Sequence, residues 1–213
     1  ASTIAAFVAR SPWAVSRGGS TDTRAKSSPA GNTPSTESAC SASITWSLYS
    51  AKIFIKNQSQ IKKNQIIIGL GASGDNKRWP ADYFNLLIDY LKNKNFEFIL
   101  AGGPGEIKII DYIKKYHSGI KFISLEKLSL EESLEIIKDA KFHFGNDSGF
   151  MHICAALGMT SYCFYGDTPS EDSFYNDKII PIIPDNFERV YHGSRAMNLI
   201  SVTKVIKTFE KDH

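Results

Sequence analysis

From residue 65 onward, short apolar runs alternate with longer stretches in which apolar residues recur every three or four positions. Gln65-Ile66-Ile67-Ile68-Gly69-Leu70 has no polar alternation and reads as a strand buried on both faces. Pro80 is placed to open a helix, with Tyr83, Phe84, Leu87, Ile88 and Leu91 on one side. Phe96 to Ala101 is a second strand, ended by Gly102-Gly103-Pro104-Gly105. Glu106 to His117 is a second helix, and Ile120 to Ile123 a third strand. Leu130 to Ala140 follows as a helix, opened by Ser129 and Glu132 as a capping box. Residues 141–144 read as a strand, and 148–157 as a helix stopped by Gly158. Thr160 to Tyr165 and Ile179 to Ile183 complete six strands. Leu199, Val202, Ile206 and Phe209 mark a closing amphipathic helix.

Apolar strands alternating with helices predict an α/β fold: a Rossmann-like, mostly parallel sheet with helices on both faces. In such sheets ligands bind beyond the carboxyl ends of the strands. The polar and glycine-rich clusters fall at those ends, after Leu70, Ala101, Phe144 and Tyr165.

Composition divides the chain. Residues 1–50 hold 12 Ser and 6 Thr but only two Ile and one Leu, whereas residues 51–213 hold 18 Lys against three Arg. A segment so poor in apolar residues cannot offset its ordering entropy. Residues 1–50 are therefore expected to be low-complexity, disordered or of separate origin, and 51–213 to form the folded domain. A net charge of +3 gives no reason to expect nucleic acid as a partner. Cys40, Cys154 and Cys163 lack metal-ligand spacing, and the last two sit in apolar surroundings that suit small core residues in a reducing cytoplasm. No apolar run reaches the roughly 18 residues of a membrane span. The first residues lack the basic start of a signal peptide.

The richest stretch is Gly145-Asn146-Asp147-Ser148-Gly149-Phe150-Met151-His152. A strand, a polar turn and a helix start present free backbone N–H groups to an anion. Asp147 and Ser148 suit an N-cap, and Gly149 permits close approach to the backbone. His152, four residues past Ser148, shares its side of the helix. An acid, a hydroxyl, amides and an imidazole together suit a phosphorylated, hydroxyl-rich ligand such as a nucleotide sugar. A core histidine is the competing reading of His152.

Gly69-Leu70-Gly71-Ala72-Ser73-Gly74 matches G-x-G-x-x-G after a strand, but no helix opens at Gly74 and no ribose-binding acid ends the next strand. A dinucleotide-dependent oxidoreductase is thus the weaker reading. A phosphate loop in which Ser73 gives a hydroxyl and Lys77 a mobile charge competes with a plain solvated turn. Glu106 at a helix start reads either as a dipole-compensating acid or as an acceptor for ribose hydroxyls. His143 reads as structural. No His-x-x-x-His, Cys-x-x-Cys or Asp-x-Asp supports a metal site.

In order along the chain, Lys77-Arg78-Trp79-Pro80, Gly102-Gly103-Pro104-Gly105-Glu106, Leu128-Ser129-Leu130-Glu131-Glu132, Asn146 to His152, and Phe164-Tyr165-Gly166-Asp167-Thr168-Pro169 resemble the C-terminal half of glycosyltransferase family 9, the lipopolysaccharide heptosyltransferases. The resemblance covers about residues 64–185. It implies the C-terminal domain of a two-domain GT-B fold, which holds a nucleotide-sugar donor, commonly ADP-heptose. It also implies inverting, metal-independent transfer to a lipopolysaccharide core or lipid A precursor, in the cytoplasm, with peripheral contact at the inner membrane. No cofactor is implied. By the same resemblance Ser73 and Lys77 bind the diphosphate and sugar, Glu106 the ribose, Leu128 the base, and Asp147 sugar hydroxyls. Ser148 and Gly149 offer amides to the phosphates, and His152 completes the site.

Two positions depart from the family pattern. Ala72 replaces a frequent hydroxyl residue, and Asp167 stands where proline is common. A larger departure lies upstream. The family keeps its acceptor site and catalytic base in an N-terminal domain, yet only about 60 residues precede Gln65, and neither Asp22 nor Glu37 reads as a base. The expectation is a donor-binding half whose acceptor domain is missing. A non-catalytic nucleotide-binding module of the same fold is the alternative.

Overall fold

A computed structural model describes residue 59 and residues 61–212, apart from the side chain of Asp172. The composition-based reading of residues 1–50, and the search for a base among them, lie outside the described residues.

Six strands form one parallel sheet: β1 (Lys63–Gly69), β2 (Glu97–Ala101), β3 (Phe122–Ser124), β4 (Ala140–Asn146), β5 (Thr160–Phe164) and β6 (Ile179–Ile182). Their order is β3-β2-β1-β4-β5-β6, and every neighbouring pair is parallel. Among the described residues five α-helices accompany them: α1 (Ala81–Leu91), α2 (Ile107–Tyr116), α3 (Leu130–Ile137), α4 (Gly149–Ala156) and α5 (Val202–Lys211).

The unbroken apolar strands follow from burial on both faces. Ile66 and Ile68 of β1 join a core with Phe84, Leu87, Ile88 and Leu91 of α1, Ile110 and Ile113 of α2, and Val205 and Phe209 of α5. Ile67 points the other way, into a core with Leu134 and Ile137 of α3 and Cys154 of α4. Each fully buried aliphatic side chain contributes about 1.5–3 kcal/mol. Trp79 ties this layer together: its indole N–H donates to the Ile200 carbonyl at 2.9 Å, and its ring lies edge-on to Phe84. The expected α/β architecture with helices on both faces is therefore the observed one.

Several boundaries differ from the sequence reading, for local reasons. Pro80 is the N-cap of α1, and Ala81 is the first helical residue. Ile120 closes a turn through its N–H to the His117 carbonyl, so β3 starts only at Phe122. The Ser129–Glu132 capping box is present, but α3 stops at Ile137. Ala140 is taken up by pairing with Lys63, and the Lys63 N–H donates to the Asp139 carbonyl. Leu199 is 53% exposed in a 3-10 turn and is not part of the closing helix. Ser201 caps that helix by accepting from the Lys204 N–H at 3.1 Å, and Val205 with Phe209 is what it buries.

Candidate functional site

β1 and β4 are neighbours, yet the chain leaves them toward opposite faces of the sheet, β1 to α1 and β4 to α4. Divergence at such a switch point opens a crevice above the strand ends. Here it is a cavity of about 970 Å³, lined among others by Ser73, Lys77, Leu128, Asp147, Ser148, Gly149 and His152. Seven of the eight residues singled out from sequence thus meet in one place.

The crevice floor is bare backbone. Gly145 pairs with Gly69 in the β1–β4 ladder, and a Cβ on Gly145 would lie 2.5 Å from the Gly69 carbonyl oxygen. Beneath Gly69 lies the His143 imidazole, whose Nε2 would meet a Cβ at 2.4 Å. His143 is fully buried and hydrogen-bonds Ser161 Oγ through Nδ1 at 2.7 Å. Burial pulls its imidazole down to about 3, so it is a neutral core residue, as its sequence context implied.

The polar wall comes from two distant loops. Ser148 caps α4 by accepting from the Met151 N–H at 3.4 Å. Gly149 and Phe150, the first two helical residues, line the cavity, and their N–H groups have no intrahelical partner. Open space surrounds the position a Cβ would take on Gly149. Asp147 lies beside this helix start, 3.4 Å from Lys77 Nζ and 4.0 Å from His152 Nε2. His152 Nδ1 hydrogen-bonds the Tyr175 hydroxyl.

Asn146 holds these loops in register. Its side chain is 1% exposed; Oδ1 accepts from the Trp79 N–H at 2.9 Å, and Nδ2 donates to the Leu70 carbonyl at 3.0 Å. One buried amide thus joins the loop after β1, the Lys77-bearing turn and the end of β4. Leu128 stands on the apolar side of the cavity with Leu125, Leu130, Ile107 and Phe150.

Glu106 is the eighth residue, and it is placed behind the wall. One carboxylate oxygen accepts from Arg78 Nη2 at 2.8 Å and the other from the Gly103 N–H at 2.9 Å. It thereby folds the 102–106 turn and anchors Arg78, and each oxygen retains a second lone pair. Asp167 also acquires a role: its Oδ1 accepts from the Arg195 N–H at 2.6 Å, fixing Arg195 in the left-handed region at φ +51°. Ala72 lines the cavity and adds no hydroxyl.

Asn146 and Tyr175 were not singled out from sequence. A polar residue closing an otherwise apolar strand marks Asn146 as a buried, satisfied amide. Tyr175 has no comparable local signal. The G-x-G-x-x-G run behaves as its spacing implied: Gly74 leads into a 3-10 turn (Asp75–Lys77), and α1 begins seven residues beyond it. Among the described residues no group of three His, Cys, Asp or Glu is arranged to hold a metal ion, and no helix is long and apolar enough to cross a membrane.

The sheet order and the rim above β1 and β4 define a doubly wound α/β domain of the kind found in GT-B glycosyltransferases. The family profile of glycosyltransferase family 9 (heptosyltransferase) matches residues 20–181, and the chain belongs to that family. The match begins within the serine-rich segment. Lipopolysaccharide heptosyltransferase 1 of Campylobacter coli is 30% identical over 139 residues, 62% of this chain and 41% of that protein. Among solved structures, Escherichia coli heptosyltransferase WaaC with ADP-2-deoxy-2-fluoro heptose superposes with a TM-score of 0.59 at 20% identity, over 74% of this chain and 46% of that one. Escherichia coli ADP-heptose lipopolysaccharide heptosyltransferase II gives 0.61 at 22% identity, over 75% and 52%. The matches span about half or less of these relatives' length.

Proposed function

We propose that residues 61–212 form the donor-binding half of a lipopolysaccharide heptosyltransferase, with a nucleotide sugar of the ADP-heptose type in the crevice above β1 and β4. The observation that carries this reading is the meeting of Lys77, Asp147 and the amide-bearing start of α4 in one cavity, although the two loops are 70 residues apart in sequence. The names of the relatives supply the heptose and the lipopolysaccharide acceptor.

In this reading the diphosphate lies against the Gly149 and Phe150 amides, within reach of Ser73 and Lys77. The base occupies the apolar side at Leu128. Asp147 accepts from sugar hydroxyls, and Glu106 reaches the ribose through its remaining lone pairs. During transfer an acceptor hydroxyl oxygen bonds to the anomeric carbon from the side opposite the diphosphate. The anomeric C–O bond breaks, and the nucleoside diphosphate departs with the bonding pair. The hydroxyl proton passes to a base contributed from outside the described residues. Lys77 and the helix amides stabilise the departing charge without a metal, which is electrostatic preorganisation.

Calorimetric titration with ADP tests the assignment. Lys77→Ala and Asp147→Ala should each change the affinity, Lys77→Ala weakening it about tenfold or more, the value of one charge-assisted contact. ADP binding indifferent to both substitutions would refute the site.

A further inference from the structure

Among the described residues His152 is the one imidazole on the cavity wall, and its two ring nitrogens meet different chemistry. Nε2 faces the Asp147 carboxylate at 4.0 Å, a group that only accepts. Nδ1 is hydrogen-bonded to the Tyr175 hydroxyl, and the two ring centroids are 5.7 Å apart. Tyr175 lies just past a 3-10 turn (Ser170–Ser173) in the connection between β5 and β6, outside the Asn146–His152 motif. Burial beside Cys163 and Asp147 pushes its phenol up to about 12, so it carries its proton at neutral pH.

We propose that Tyr175 is a positioning residue that donates to His152 Nδ1 and so fixes the neutral ring with its proton on Nε2, aimed into the cavity as a hydrogen-bond donor. The inference rests on the donor-site reading for what that proton meets: an oxygen of the sugar or of the diphosphate. His152 then enters the site as a directed N–H, with its acceptor nitrogen already engaged. The Tyr175 hydroxyl holds Nδ1 as the acceptor, and the Asp147 carboxylate opposite Nε2 favours the same tautomer.

The test reads the tautomer in the ligand-free protein. Two-bond ¹⁵N–¹H correlation spectra of the ring nitrogens are recorded at about pH 8.5, where histidines are neutral. His152→Gln identifies the His152 signals by their loss. The wild-type ring is expected as the Nε2–H form, with Nδ1 displaced upfield by accepting a hydrogen bond. Tyr175→Phe should release that displacement and raise the Nδ1–H population, and ADP affinity should fall about three- to tenfold, the value of one neutral hydrogen bond. A wild-type proton on Nδ1, or signals identical in Tyr175→Phe, would overturn the proposal. Should Tyr175→Phe fail to fold, the wild-type Nδ1 shift decides alone. Because the tautomer is read without ligand, absence of ADP binding would strike the donor-site reading and leave this result standing.

Discussion

Replacing Asn146 by alanine removes one small side chain and two long-range contacts. The Trp79 N–H and the Leu70 carbonyl lose their amide partner, across 67 and 76 residues of sequence respectively. Leaving a buried backbone group unpaired costs about 1–3 kcal/mol, so the pair costs about 2–6 kcal/mol. Against a typical domain stability of about 5–15 kcal/mol this is a large fraction. With a urea slope of about 2 kcal/mol/M, the unfolding midpoint should fall by about 1–3 M. Urea titration followed by Trp fluorescence measures this directly, since Trp79 is itself one of the residues released. Asn146→Asp is the informative companion. It keeps an acceptor for Trp79 but sets a carboxylate oxygen against the Leu70 carbonyl, so it should not rescue the loss. In the native Asn146→Ala protein, ADP affinity should also fall, because the Lys77 turn is no longer fixed to β4. A midpoint shift below about 0.3 M would show that water or backbone relaxation replaces both bonds, and the account of Asn146 as the staple of the rim would be wrong.

Three further outcomes follow from the core beneath the site. Gly145→Ala drives a methyl group against the Gly69 carbonyl and should cost about 1–3 kcal/mol, read as a melting point lower by about 2–12 °C; an unchanged melting point contradicts the close approach of β1 and β4. His143 has its proton affinity depressed by burial, so its contribution is complete above the unfolded value near 6.5 and is lost as pH falls toward about 3. At pH 5 that is a loss of about 2 kcal/mol, and denaturation at pH 7 and pH 5 should show it in the wild type but not in His143→Gln. Cys154 and Cys163 are fully buried with thiols pushed up, so neither should be labelled by a water-soluble thiol reagent in the native protein. Mass-spectrometric mapping of label to either position before unfolding would contradict that packing.

The architecture was legible because each strand of a parallel sheet is apolar on both sides, as in Ile66-Ile67-Ile68, and each helix carries one stripe, as in Phe84, Leu87, Ile88 and Leu91. The local caps at Ser129 and Ser148 were equally readable, since their partners lie three residues away. What sequence did not disclose is non-local. The Asn146 staple, the Tyr175 partner of His152 and the Arg78–Glu106 pair each join segments 23 to 76 residues apart. Glu106 shows the cost of reading one dimension: an acid at a turn suits a ligand and an internal hydrogen bond equally well, and only the fold shows both oxygens engaged. Periodicity places Leu199 in the last helix, because it cannot see that Ile200 is extended and Ser201 starts the helix anew.

The pairing of β1 with β4 has a consequence for how the protein comes into being. β1 can zip to β2 across a single intervening helix, but its contact with β4 must wait until loop closure over some 70 residues has been achieved. Lys77 and Asp147 meet only after that step. In the proposed donor site, nucleotide capture therefore requires the β1–β4 pairing, and a fluorescent ADP analogue added during refolding is expected to report when that pairing forms.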